Sequence, residues 1–264
     1  MSSKKITQVD GGVSSTNTSQ STGFVPTEES KGKATQLRMF AALSWVAAIG
    51  AQIWAITFLF KQPQPSNLMT WMIALIVVDL AFAILGSYLW KKSNRLDPAS
   101  EKNKFMFFMQ SQLGLVVAII AFLPLVIFVF TNKNLDGKQK GIIGGIAAVA
   151  LVIAGISGTD FNPPSVEQYT EQTAQVEALN NGINNVFWTK SGKSFHLFND
   201  CGYINSDRTT EIFEGTVAQA RELKNITDIC DRCEKKAQKA NATESIIDIP
   251  TTTEETPVEA EAAE

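Results

Sequence analysis

The chain has 264 residues, 45% hydrophobic and 19% charged, with a formal net charge of −3. That length bounds it to one or two domains, and the slight acidity argues against a basic nucleic-acid-binding surface. Three cysteines are an odd number, which argues against a closed disulfide framework and favours a reduced compartment with a metal site.

Residues 1–36 are rich in Ser, Thr, Gly and Gln and lack apolar periodicity. Such a segment buries too little surface to offset its ordering entropy, so a flexible tail is predicted. It is not a secretory signal, because no short apolar region stands near the start ahead of a small-residue cleavage site. Residues 37–159 then carry four uncharged or nearly uncharged runs. They are Met39–Phe60, Leu68–Trp90 (interrupted by Asp79), Phe105–Phe130 (with Pro124 inside) and Gly141–Gly158. A helix needs roughly 20 apolar residues to cross the hydrocarbon, so four transmembrane helices are predicted in a cell-membrane, multi-pass protein.

Basic residues near the span ends set the expected orientation. Lys31, Lys33, Arg38, Lys91, Lys92, Arg95, Lys102 and Lys104 fall on one side; Lys61, Lys133, Lys138 and Lys140 fall on the other. The heavier side is read as cytoplasmic, which puts both the N- and C-termini there. The short loops 61–67 and 131–140 make spans one and two, and spans three and four, antiparallel neighbours. In span four, small residues recur four apart: Gly141 with Gly145, Gly144 with Ala148, Ala150 with Ala154, and Ala154 with Gly158. Such a face packs closely in lipid, within the chain or against a second copy in a homo-oligomer. Asp79 lies mid-span, where a carboxyl is costly. It is either a functional group or a satisfied acid facing the bundle, with Gln52, Gln110 or Gln112 as candidate partners.

Residues 160–185 form a linker. Asp160-Phe161-Asn162-Pro163-Pro164 breaks the helix; Ser165 and Gln168 then make a capping-box pattern ahead of a short helix over Val166–Asn180, with Gly182 suited to its end. A small α+β domain is predicted over 186–238. Val186–Thr189 and Ser194–Phe198 read as a hairpin turning at Gly192, and Thr216 reads as the N-cap of a helix over Val217–Lys224. Residues 239–264 are Thr-, Ala- and Glu-rich and read as a disordered acidic tail.

The only histidine and the only cysteines of the chain, His196, Cys201, Cys230 and Cys233, fall inside that small domain as H-x4-C and C-x2-C. Four such donors suit a tetrahedral structural Zn²⁺ of Cys3His type; a redox-active C-x2-C pair is the alternative. A unit of about fifty residues also needs a staple, which a metal supplies. The order VFWTKSGKSFH-x4-C, an EGT-initiated helix and C-x2-C resembles a small bacterial zinc module akin to the metal-binding domain of the Ada DNA-repair protein. The resemblance covers roughly 186–236 and implies a fold and a metal with His196, Cys201, Cys230 and Cys233 as ligands, not an activity. The four spans resemble no family.

The expected function is non-enzymatic: a membrane protein whose cytoplasmic, zinc-stabilised module binds a protein partner. With its histidine and cysteines committed to a closed site, the chain has no such side chain left to act as base or nucleophile, and no Walker, G-x-S-x-G or H-E-x-x-H motif is present. A redox- or zinc-responsive sensor and a small transporter using Asp79 are the alternatives.

Overall fold

The computed structural model describes residues 4–9, 24–59 and 67–247. It is mostly helical, with four helices long and apolar enough to cross a membrane and a small sheet-and-helix region near the C-terminus. The chain divides into two compact units, one formed by residues 20–174 with 221–225, the other by 1–19, 175–220 and 226–264.

The helical unit contains α1 (Glu28–Trp54, continued by one π-helical stretch Ala55–Leu59), α2 (Leu68–Leu96), α3 (Lys104–Thr131) and α4 (Gly137–Gly158). Its interior mixes small side chains, Ala41, Ala48, Ala83, Ala118, Ala121, Ala147, Ala150 and Ala154, with large ones, Met72, Ile76, Phe122, Leu125, Val129 and Ile143. Large apolar groups such as Val46, Val78, Ile120, Ile127, Val152 and Ile156 point outward. A chain folded in water seldom leaves so many large apolar side chains uncovered, because burying them is what drives collapse. In lipid the gain comes from close backbone packing instead. The face Gly144, Ala147, Ala150, Ala154 and Gly158 of α4 is turned inside the bundle, and Gly158 lies against Gly114 of α3. Gly141 and Gly145 are exposed.

Polar groups gather at the end of the bundle where α1 begins and α2 stops. Arg38 Nη1 bonds Asp97 Oδ2 at 2.7 Å, and its Nη2 donates to the Asp97 carbonyl at 2.9 Å. Trp90 Nε1 and Asn94 Nδ2 both donate to the Gln110 carbonyl, at 2.7 and 3.0 Å. Arg221 is fully buried in this unit, with its guanidinium bonded to Gln168 and Gln172 and 4.4 Å from the centre of the Tyr169 ring.

α1 corrects the tail predicted for residues 1–36, because it begins at Glu28. Thr27 caps it by accepting from the Ser30 amide at 3.1 Å, and Glu28 and Glu29 pair with Lys31 and Lys33. A capped, charged first turn carries no apolar stripe, so composition conceals it. Lys5–Gln8 departs from the prediction too, forming strand β1. The helix over Val166–Leu179 (α5) starts as expected, with Ser165 Oγ accepting from the Gln168 amide at 3.1 Å. The remaining parts of both predicted tails, the end of the first span and most of the first outer loop lie outside the described residues.

The second unit holds two sheets. β1 runs parallel to β4 (Glu211–Gly215), with Lys5 beside Glu211, and β4 runs antiparallel to β2 (Val186–Trp188). β3 (Ser194–Phe195) pairs in parallel with β5 (Asp228–Ile229). The predicted hairpin is present as a single bridge, Phe187 to His196, with both backbone bonds at 2.7 Å. α6 (Val217–Lys224) has the predicted span; Thr216 Oγ1 accepts from the Gln219 amide at 3.3 Å and Gln219 Oε1 accepts from the Thr216 amide at 2.8 Å. α7 runs over Asp231–Ile247, past the boundary predicted at residue 238. Trp188, Phe195, Ile212 and Ile226 fill a core shared with the three cysteines. Each fully buried large aliphatic or Phe side chain stabilises by about 1.5–3 kcal/mol, so a core this small is marginal without a further tie.

Candidate metal centre

Two short strands set up the centre. β3 and β5 pair in the register Ser194–Asp228 and Phe195–Ile229. The next residues along that parallel register are His196 and Cys230, and the Cys230 amide continues the ladder by donating to the Phe195 carbonyl at 2.9 Å. The ladder therefore delivers one imidazole and one thiol side by side. Cys201 stands on a tight turn whose carbonyl accepts from the Ile204 and Asn205 amides at 3.0 and 2.8 Å. Cys233 comes from the first turn of α7, which opens as the Glu234 amide bonds the Cys230 carbonyl at 3.0 Å. The C-x2-C motif thus joins a strand end to a helix start.

One ligand atom from each of the four residues falls within 4.8 Å of every other, and all four residues are buried. Cys201 Sγ lies 4.0 Å from Cys230 Sγ, and Cys233 Sγ lies 3.7 Å from His196 Nδ1. A tetrahedral ion with metal–sulfur bonds of about 2.3 Å has ligand–ligand edges of roughly 3.8 Å. The spacings match that edge, so these residues are close enough to bind a metal ion.

The electrostatics fit the same use. Burial pushes the Cys233 thiol up to about 12, and the neighbouring Cys201 adds to the rise. The Leu197 and Phe198 amides bond the Cys233 sulfur and pull in the other direction. Amides aimed at a sulfur stabilise a thiolate, and a bound cation deprotonates a coordinating thiol outright. Burial lowers the pKa of His196, favouring the neutral imidazole that ligates metals. The two amides leave no trace in the sequence, because any residue type supplies a backbone N–H.

Beside the centre lies an open groove of about 1000 Å³, with His196 and Cys230 on its wall. Four of its basic residues, Arg232, Lys235, Lys236 and Lys239, come from one side of α7. Their spacing of three, four and seven residues was readable as a helical stripe; reading 239–264 as tail obscured it.

Asp79 is 3% exposed, and neither carboxylate oxygen has a hydrogen-bond partner among the described residues. It lines a cavity of about 10 Å³ with Gln52, Met72, Ile76 and Leu125. Of the three glutamines predicted to partner it, only Gln52 borders this cavity, and its amide donates to the Ala121 carbonyl. Gln110 bonds the Asn94 side chain and the Asp97 carbonyl, and Gln112 bonds the backbone of Asp160, all at the bundle's polar end. The sequence places all three glutamines in spans, but helical depth separates Gln110 and Gln112 from Asp79.

No known protein family matches this chain, nor does any curated protein or any solved structure. Its class is set by what it contains: four apolar helices that could span a membrane, and a compact α+β unit with a buried one-histidine, three-cysteine cluster that could hold a metal.

Proposed function

We propose that this is a multi-pass membrane protein whose α+β unit is held together by a structural zinc ion and serves as a cytoplasmic protein-interaction module. The observation that carries the reading is the convergence of His196, Cys201, Cys230 and Cys233 on one buried point at tetrahedral spacing. Three sulfurs and an imidazole are a donor set that suits zinc over the oxygen-seeking Mg²⁺ and Ca²⁺. Four protein ligands leave no coordination position for a substrate, so the ion's part is to fold the unit. The ligand set agrees with the Ada-like resemblance of residues 186–236.

The large apolar side chains exposed around the four helices, such as Val46, Ile120, Val152 and Ile156, support a bilayer location. Pairing of β1 with β4 supports one common side for the N-terminal strand and the metal unit, as an even number of crossings requires. The excess of lysine and arginine on that side supports calling it cytoplasmic. Burial of the α4 small-residue face inside the bundle favours intramolecular packing over homo-oligomerisation.

The test is elemental analysis of the full-length protein purified in detergent, with a C-terminal reporter for sidedness in cells. One zinc per chain and a cytoplasmic C-terminus are expected. A metal-free, folded protein would overturn the zinc reading, and a translocated reporter would overturn the orientation. A sensing role is the second reading, favoured by the 4.0 Å approach of Cys201 and Cys230, whose sulfurs would be poised to couple on oxidation if the ion left. Zinc retained under mild peroxide would remove it.

A further inference from the structure

Asp79 is buried in the apolar part of α2, and neither of its carboxyl oxygens has a hydrogen-bond partner among the described residues. The cavity it lines, about 10 Å³, takes its walls from three helices: Gln52 and Ala55 of α1, Met72 and Ile76 of α2, and Leu125 of α3. That volume is roughly one water-sized sphere. Gln52 is itself buried, and its amide nitrogen donates to the Ala121 carbonyl of α3. Its oxygen is then the end of the amide still to be used, so what Gln52 and Asp79 have to offer here are acceptors. Such a lining calls for a positive charge, and the spans supply none. The apolar runs 39–60, 68–90, 105–130 and 141–158 contain no lysine, arginine or histidine, and no acid besides Asp79. An isolated carboxylate removed from water is too costly to stand alone, so its counter-charge comes from outside the chain. Two departures from regular helix also meet at this cavity. Ala55 opens the π-helical stretch Ala55–Leu59, and Leu125 directly follows Pro124. Pro124 has no N–H to give the Ile120 carbonyl, and π-helical stretches recur at functional sites. Regular helix has no backbone oxygen to spare for an ion, whereas interrupted helix does.

We infer that this cavity is a binding site for one alkali-metal cation, held by the Asp79 carboxylate and the Gln52 side-chain oxygen. One carboxylate balances one positive charge, which selects a monovalent ion. Mg²⁺ and Ca²⁺ take more carboxylates or keep several waters, for which the cavity has no room. Oxygen donors also give nothing to a soft metal, so the site differs in kind from the sulfur-rich centre. A proton cancels the charge but fills none of the cavity, and an Asp79 O–H has no acceptor within reach among the described residues. A dehydrated ion seated between the two side chains reaches both. The ion would tie α1, α2 and α3 together, adding to the bond that Gln52 already makes to Ala121. Without it, Asp79 is a net cost to the fold. The inference draws on the helical unit alone and is independent of the zinc reading.

The experiment follows the helical circular-dichroism signal of the full-length protein in detergent on heating. It starts in N-methylglucamine buffer and compares sodium chloride and potassium chloride with choline chloride at matched ionic strength. Expected is a saturable rise of the melting midpoint, about 5 °C or more, with sodium or potassium and not with choline. Asp79→Asn should abolish the rise, and Gln52→Leu should raise the half-saturating concentration about tenfold. Equilibrium dialysis of the wild-type protein with radioactive sodium, or with rubidium standing in for potassium, should find one ion per chain and depends on no variant folding. An equal rise in choline, a rise that survives Asp79→Asn, or no bound radioactive ion at saturation would overturn the inference. Stabilisation by acid with no response to either alkali ion would overturn it too, because the occupant would then be a proton.

Discussion

Gly158 at the end of α4 lies so close to Gly114 of α3 that a Cβ on Gly158 would sit 2.5 Å from the Gly114 carbonyl carbon, and one on Gly114 would sit 2.8 Å from the Gly158 oxygen. Both obstacles are backbone, which cannot rotate away. Gly158→Ala is therefore expected to destabilise the bundle by about 1–3 kcal/mol. Gly145→Ala, with nothing within 4 Å of the added methyl, should be neutral or stabilising by up to about 1 kcal/mol. Thermal melts of the two variants in detergent check the pair, and equal midpoints would mean the helices part at little cost.

Removing one ligand should cost the α+β unit its order. Cys230→Ser is expected to lose bound metal and the near-ultraviolet signal of buried Trp188 together, while the helical signal of the four long helices persists. His196→Cys keeps four soft donors and should retain the metal. A Cys230→Ser protein with an unchanged Trp188 environment would show that the ion is not what folds the unit.

Glu222 predicts a pH dependence. Burial raises its pKa from 4.5 to about 7, with the Ser30 hydroxyl and Lys33 offsetting only part of the rise and Glu29 adding to it. The folded chain thus favours the protonated acid. The stability this gives is fully present below about pH 4.5 and is lost as pH climbs through 7. Glu222→Gln should match wild type in acid and melt higher at pH 8. Parallel melting curves of the two proteins from pH 5 to 8 would refute this.

Asp79 predicts a trade of stability against function. Its two oxygens are buried without partners, and a buried polar group left unsatisfied costs about 1–3 kcal/mol. Asp79→Leu should therefore melt higher than wild type in detergent. If it does, and a coupled ion flux in vesicles is lost with it, the carboxyl is retained for transport; a lower melting temperature would mean that Asp79 has a structural tie, such as a water held with Gln52.

The long helices were legible because an uncharged run of some twenty residues has few other stable fates. The candidate ligands were legible because histidine and cysteine occur nowhere else in the chain. The N-terminal strand stayed hidden because local pattern does not encode distant pairing. Lys5–Gln8 has four residues and no apolar alternation, and it is a strand because Glu211–Gly215 offers it an edge. That partner strand was itself read only as the approach to a helix. α7 was not foreseen as a helix, because its Lys-, Ala- and Glu-rich run looks like solvent-facing tail, although these residues are good helix formers. The groove disappeared with it.

The parallel pairing of β1 with β4 also bears on how the molecule is made. The first strand to leave the ribosome must wait while some two hundred further residues are translated, including every apolar helix, before its partner exists. Completion of this sheet is therefore a late event in biogenesis. A ribosome stalled before residue 211 would leave Lys5–Gln8 without the neighbour that makes it a strand.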